Sequence, residues 1–303
     1  MKQLLSISGI ILLASLVISS LPAQVFAGED DIVFIHHSCG NNFLNQGLKT
    51  QLLTKDYIDE VNDIYYGDDL QPDDGRPDSL GGTPGDKTNM NHWVMWFNDY
   101  LEGIRQFDCS NGSNRIIMFK SCYPISNVSS DGREPGDPFS SSQTLANYKS
   151  VFRKYNDADG IYSRSGNEYT ALEKVFANNP DILFIAVTAP PRHFGPSDAT
   201  NDTEAQRARD FNNWLKDEWL ASYKASITGS MNVAVFDWFN VLANPSDHAT
   251  YPNRLKEEYG GNNGDSHPNA TGNSESAEFF STFIDQVFTE WNEITSVQHW
   301  SLY

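Results

Sequence analysis

Positive charge is scarce in this chain: 21 Lys and Arg stand against 40 Asp and Glu, a formal net charge of −19 over 303 residues. Such a chain is repelled by phosphate backbones and anionic headgroups, and no basic stripe offsets the repulsion. Nucleic acid is thereby excluded as a partner. Cysteine is sparse too. Cys39, Cys109 and Cys122 suffice for one disulfide with one thiol left over. Long apolar runs are missing beyond the N-terminus, where none approaches the ~18 residues of a membrane span. What is present is core material: 39% hydrophobic residues, 13% aromatic, and 21 glycines. A disordered chain has no use for that much aromatic surface, so the composition predicts a folded protein with a sizeable core.

The one long apolar run follows Lys2 and passes through Leu4, Leu5, Ile7, Ile10–Leu13, Leu16, Val17 and Ile18. Val25-Phe26-Ala27 then offers small residues where a signal peptidase reads, with Gly28-Glu29-Asp30 beyond. The pattern predicts a secretory signal over residues 1–27 and an exported mature chain with no stable membrane insertion. No Cys stands at the cleavage site to carry a lipid anchor.

Along the mature chain, short apolar runs alternate with helical patterns. Residues 31–35 (DIVFI), a stretch within 57–66, 115–119 (RIIMF), 181–188 (DILFIAVT) and 232–236 (NVAVF) read as strands. Helices are expected over 43–53, through Trp93, Trp96, Phe97, Tyr100, Leu101 and Ile104, and over 144–155, 169–177, 202–223 and 272–291. Thr88 or Asn89 is placed to cap the aromatic helix, whose stripe reads as core. Residues 67–87, rich in Gly, Pro and Asp, form a loop, and 160–166 interrupt a helix. No repeat or linker divides residues 28–303. The expected architecture is one three-layer α/β/α sandwich on a flavodoxin-like parallel sheet of about five strands, order 2-1-3-4-5.

In such a sheet the ligand crevice lies beyond the carboxyl ends of strands one and three, where the order reverses. Those ends carry His36-His37-Ser38-Cys39-Gly40 and Lys120-Ser121-Cys122-Tyr123-Pro124. A serine hydroxyl attacks only when a base takes its proton. The candidate base is His267, in Gly264-Asp265-Ser266-His267-Pro268-Asn269 before the last helix, with Asp265 placed to orient its ring.

An early Ser after strand one and a late Asp/His-Pro-Asn loop resemble the SGNH (GDSL-like) hydrolases, esterases on a flavodoxin-like sandwich. The resemblance implies Ser38 as nucleophile and His267 as base. It departs from the family pattern at several places. His36-His37 replaces the Gly-Asp before the Ser, Asp265 stands two rather than three residues before the His, and the Gly-x-Asn-Asp block after strand three is absent. Asp237 is a remote substitute for the acid, and a Ser–His dyad remains open. For the oxyanion, the resemblance implies the Ser38 backbone N–H, a Gly after strand two, and a third donor. Gly85 is preferred over Gly81 and Gly82, and Ser121 Oγ or the Asn127 amide supplies the third.

Cys39 and Cys122 follow strands that this order makes neighbours, so a disulfide between them is expected, with Cys109 free or an alternative partner. His36 and His37 point to opposite faces, one to the cleft and one beneath a helix, satisfied by a backbone group. His193, past another strand end, reads as a surface-loop residue, with contact to substrate the alternative. No metal or other cofactor is expected, since no His-x-x-x-His or paired-Cys spacing occurs. The expected activity is hydrolysis of a short O-acyl ester, acetyl first, on a small molecule or glycan. A non-catalytic glycan-binding protein and an acyltransferase using the same residues are the alternatives.

Overall fold

A computed structural model describes residues 30–66, 90–110, 112–154, 157, 159–195, 200–226 and 231–300. The expected signal segment over 1–27, the expected loop over 67–87 with Gly81, Gly82 and Gly85, and Thr88 and Asn89 lie outside the described residues. Five parallel strands form the central sheet: β1 (Asp30–His36), β2 (Val61–Tyr65), β3 (Ser113–Phe119), β6 (Leu183–Val187) and β7 (Val233–Phe236). Their order is β2-β1-β3-β6-β7, which is 2-1-3-4-5 when only the parallel strands are counted. The two remaining strands, β4 (Ile161–Arg164) and β5 (Asn167–Thr170), pair with each other as an antiparallel hairpin.

The period of two along each strand builds two cores. Val33 and Ile35, with Ile117, Phe119, Phe184 and Val235, face one side. There they meet α3 (Trp93–Asp99), α4 (Leu101–Gln106), α5 (Leu145–Phe152), α6 (Leu172–Ala177), α7 (Asp202–Asn213) and α8 (Leu220–Ser226). Ile32 and Phe34, with Ile116, Met118, Ile185 and Phe236, face the other. There they meet α1 (Ser38–Phe43), α2 (Lys49–Leu52), α9 (Trp238–Leu242) and the long α10 (Ala270–Trp300). The flavodoxin-like three-layer sandwich is therefore the fold, with Trp93, Trp96 and Phe97 buried in its core.

Two differences from the sequence expectation matter. The segment expected to resume a helix at 169 is the second strand of the hairpin: Ser165 (φ 52°) and Gly166 (φ 85°) make a left-handed two-residue turn. Tyr162 pairs across it with Tyr169, and both rings pack on Phe139. The first helix opens at Ser38 rather than at 43. It breaks at Gly47, whose φ of 140° suits glycine and whose side faces Ala277 of α10. Among the described residues no helix is long and apolar enough to cross a membrane.

Candidate active site

β1 runs directly into α1, with one extended residue, His37, between them. The tight junction requires Gly40. A Cβ built there would lie 2.3 Å from His36 Cβ, far inside contact distance. Without that side chain the helix settles on the last strand residue and presents Ser38 at its first position. His36 is fully buried beneath the helix, with Nε2 3.4 Å from Asp63 Oδ2 on β2. Burial pushes the His36 pKa down, and the hydrogen bond from His36 lowers that of Asp63. His37 turns the other way. Its ring packs on Tyr65 and Tyr66, and its Nδ1 lies 3.3 Å from Ser38 Oγ. The two histidines divide as the strand alternation predicts, except that the buried one bonds a carboxylate rather than a backbone group.

The loop before α10 brings the second half of the site. His267 Nε2 lies 2.9 Å from Ser38 Oγ, across 229 residues of sequence. Its Nδ1 is 2.7 Å from Asp265 Oδ1, and its backbone N–H donates to the same oxygen at 3.2 Å. Burial alone would raise the Asp265 pKa. The hydrogen bonds from the His267 ring and backbone outweigh it, so the carboxyl is held below its ordinary value. An ionised Asp265 only accepts, which assigns the proton to Nδ1 and leaves the Nε2 lone pair to accept from the Ser38 hydroxyl. Tyr123 meets the imidazole edge to face at 5.1 Å, and the Arg192 guanidinium lies over the Tyr123 ring at 5.2 Å.

The residue between acid and base anchors this loop. Ser266 Oγ accepts the His193 backbone N–H at 3.1 Å and lies 2.7 Å from His193 Nδ1. The Phe194 N–H donates to Gly261 O at 2.9 Å, so the loop after β6 is stitched to the loop before α10. His193 is thus a buried strut, 5% exposed, and not a residue of a surface loop. On the helix side, Asn269 Oδ1 accepts the Gly272 N–H at 3.0 Å, within the first turn of α10.

The end of β3 supplies a neighbour that sequence reasoning assigned elsewhere. Cys122 Sγ lies 3.2 Å from Ser38 Oγ. The disulfide expected between Cys39 and Cys122 is not formed: both are free thiols, buried and in hydrogen-bond contact with each other. Burial raises the Cys39 pKa. The hydrogen bond from Cys39 lowers that of Cys122, as do the nearby Lys120 charge and the bonds from His37 and Ser38. Lys120 is fully buried, its ammonium 5.4 Å from the Trp238 ring centroid.

The proposed oxyanion donors fare differently. Ser121 points into the opposite core, where it lines a small cavity with Met90, Trp93 and Thr188, a group that includes neither Ser38 nor His267. Asn127 closes the turn after Tyr123–Ser126 through its N–H to Pro124 O, and its Oδ1 is buried. The Ser38 N–H is the first of a helix and has no intrahelical acceptor. Asp237 is spent elsewhere, accepting from Asn240 at the start of α9 and pairing with Lys216. It cannot be the acid of His267.

No family model matches the chain, and neither does any curated protein. Among solved structures it is similar to a crystal structure of a "putative acylhydrolase" from Bacteroides fragilis. The identity is 14% and the TM-score 0.42, over 88% of this chain and 92% of that one. The chemistry of Ser38 therefore rests on the residues around it.

Proposed function

We propose that the mature chain is an exported serine esterase that hydrolyses a short O-acyl ester, acetyl in the first instance, carried on a carbohydrate. The observation that carries this reading is the unbroken line of hydrogen bonds from Asp265 through His267 to the Ser38 hydroxyl. His267 Nε2 takes the hydroxyl proton as Ser38 Oγ bonds to the acyl carbon. The Ser38 N–H faces the developing oxyanion. Losing one such donor costs roughly 3–4 kcal/mol of barrier. The intermediate collapses as the imidazolium returns the proton to the departing alkoxide, leaving an acyl-enzyme. Water, deprotonated by the same imidazole, then releases the acid and restores Ser38.

Crowding supports a short acyl group: His267, Cys122 and His37 all approach Ser38 Oγ within 3.3 Å. The resemblance to SGNH hydrolases supports ester chemistry and, through its exported members, a carbohydrate carrier. The half-buried Tyr123 ring beside the base offers such a carrier an apolar face. By that resemblance Gly85 is the second oxyanion donor and the Asn127 amide the third. The N-terminal apolar segment supports export.

A fluorophosphonate probe tests the reading. The folded protein is expected to label at Ser38, with labelling abolished in Ser38→Ala and weakened in His267→Ala. The unlabelled protein should release acetate from acetylated oligosaccharides. A folded sample that neither labels nor cleaves an aryl acetate overturns the proposal and leaves a non-catalytic binding protein.

A further inference from the structure

The thiol pair beside Ser38 is more than packing. Cys39 Sγ, Cys122 Sγ and a ring nitrogen of His267 all lie within 4.8 Å of one another. Since His267 Nδ1 is held by Asp265, the nitrogen free to face the sulfurs is Nε2. Ser38 Oγ adds a fourth donor atom, 3.2 Å from Cys122 Sγ and 2.9 Å from Nε2. Tetrahedral zinc, with Zn–S near 2.3 Å and Zn–N near 2.0–2.1 Å, needs donor atoms roughly 3.5–3.8 Å apart. The four atoms reach that spacing by shifts of about 1 Å. The Asp265 carboxylate behind His267 is the outer partner that metal-ligating histidines usually have.

We infer that Cys39, Cys122 and His267 form a binding site for a thiophilic divalent cation, Zn2+ in the first instance, and that its occupancy switches Ser38 off. The switching half rests on the esterase reading, because it works by taking the general base. Binding forms two S–metal bonds, one N–metal bond and a fourth to the Ser38 hydroxyl oxygen, which keeps its proton; it releases the two thiol protons to solvent and breaks the hydrogen bond from Ser38 Oγ to Nε2. Sulfur donors select a soft cation over Mg2+ or Ca2+, which prefer oxygen. The ligands come from three segments far apart in sequence, so no short spacing announces the site.

The test uses reduced, chelator-treated mature protein, titrated with Co2+ and with Zn2+ alone. One Co2+ per chain should produce a thiolate-to-cobalt charge-transfer band, bleached by Zn2+ and lost in Cys39→Ala and in Cys39→Ser. In parallel, Zn2+ should inhibit aryl acetate cleavage and a chelator should restore it. In Cys39→Ala the half-inhibitory Zn2+ concentration, measured against that variant's own uninhibited rate, should rise at least about 10-fold. Cys109→Ala should change neither readout. Absence of the band, its persistence in both Cys39 variants, or a Cys39–Cys122 disulfide in the protein as isolated overturns the inference. Labelling of Ser38 without a cobalt band would sink the metal site and spare the esterase. A band without labelling would do the reverse.

Discussion

Replacing Asp265 with Asn removes a charge from the line to Ser38 while leaving an oxygen in place. In many triads this substitution is severe because the amide presents its NH2 to the imidazole and forces the wrong tautomer; a loss of about 10⁴ in kcat is the known extreme. The geometry here argues for a milder result. Asp265 Oδ1 accepts two donors at once, the His267 ring N–H at 2.7 Å and the His267 backbone N–H at 3.2 Å. The backbone donor cannot change tautomer, so it holds the amide oxygen of the substituted side chain toward the ring and keeps the proton on Nδ1. What is lost is charge assistance. A hydrogen bond to a charged group is worth about 1.5–3 kcal/mol, against about 1 for a neutral one. The Asp265 side chain is 54% exposed, so solvent screens part of that difference. A net loss of about 1–2 kcal/mol corresponds to a fall of about 5–30-fold in kcat/KM. Asp265→Ala removes the pinning oxygen as well and should cost more. Steady-state cleavage of an aryl acetate by the two variants and by His267→Ala measures the series. If Asp265→Asn were as inactive as His267→Ala, the amide would have flipped and the pinning argument would be wrong. If it matched the parent, Asp265 would play no part in the relay.

Three further outcomes follow from the same geometry. Ser266→Ala removes the 2.7 Å hydrogen bond to His193 Nδ1 and the acceptor of its backbone N–H, at a cost of about 1–2 kcal/mol. Urea melts should record it, together with a fall in kcat as the loop holding His267 loosens. Gly40→Ala forces a Cβ against His36 and should destabilise by about 1–3 kcal/mol or more while abolishing phosphonate labelling; an unchanged melt would sink the packing account. Burial holds the His36 pKa below its ordinary value, so near and below about pH 6.5 the unfolded chain binds a proton that the folded one refuses. This contribution to stability is present above that pH and is lost as pH falls toward the folded value, by at most about 1.4 kcal/mol per pH unit. Urea midpoints at pH 8 and 5.5 should show the decline, and His36→Gln should flatten it.

The central sheet was legible because continuous apolar runs must be covered on both faces, and β1, β3 and β6 carry such runs. The hairpin escaped because its two strands are four residues each and owe their pairing to Tyr162, Tyr169 and the distant Phe139. The early start of α1 escaped for a related reason. Ser-Cys-Gly-Asn-Asn reads as a turn, and only the approach of Gly40 to His36 turns it into a helix. Ser38 stood out because a hydroxyl just past a strand end lies where the ligand crevice opens, and His267 because it follows an Asp in a polar loop leading into the last helix. Cys122 was visible as a residue, but its contact with the Ser38 hydroxyl depends on how two loops meet, which no local pattern encodes.

The spacing of acid and base makes the same point from the other direction. An acid three residues before the histidine is the SGNH habit, and Gly264 occupies that place here. Asp265, one residue later, closes a different local structure: its side chain accepts the backbone N–H two residues on, the geometry of an Asx turn. That turn folds the carboxylate back over its own loop, where the same oxygen meets the His267 ring. Gly264, at a φ of 83°, supplies the left-handed step leading into it. The carboxylate thus reaches the imidazole by a shorter path, with its position fixed by backbone. Moving the acid to residue 264 should therefore fail. Gly264→Asp combined with Asp265→Gly would place a side chain at a left-handed backbone position and remove the Asx turn. The double variant is expected to be no more active than Asp265→Ala. Activity restored to the parent level would show that the carboxylate's chemistry matters and its turn does not.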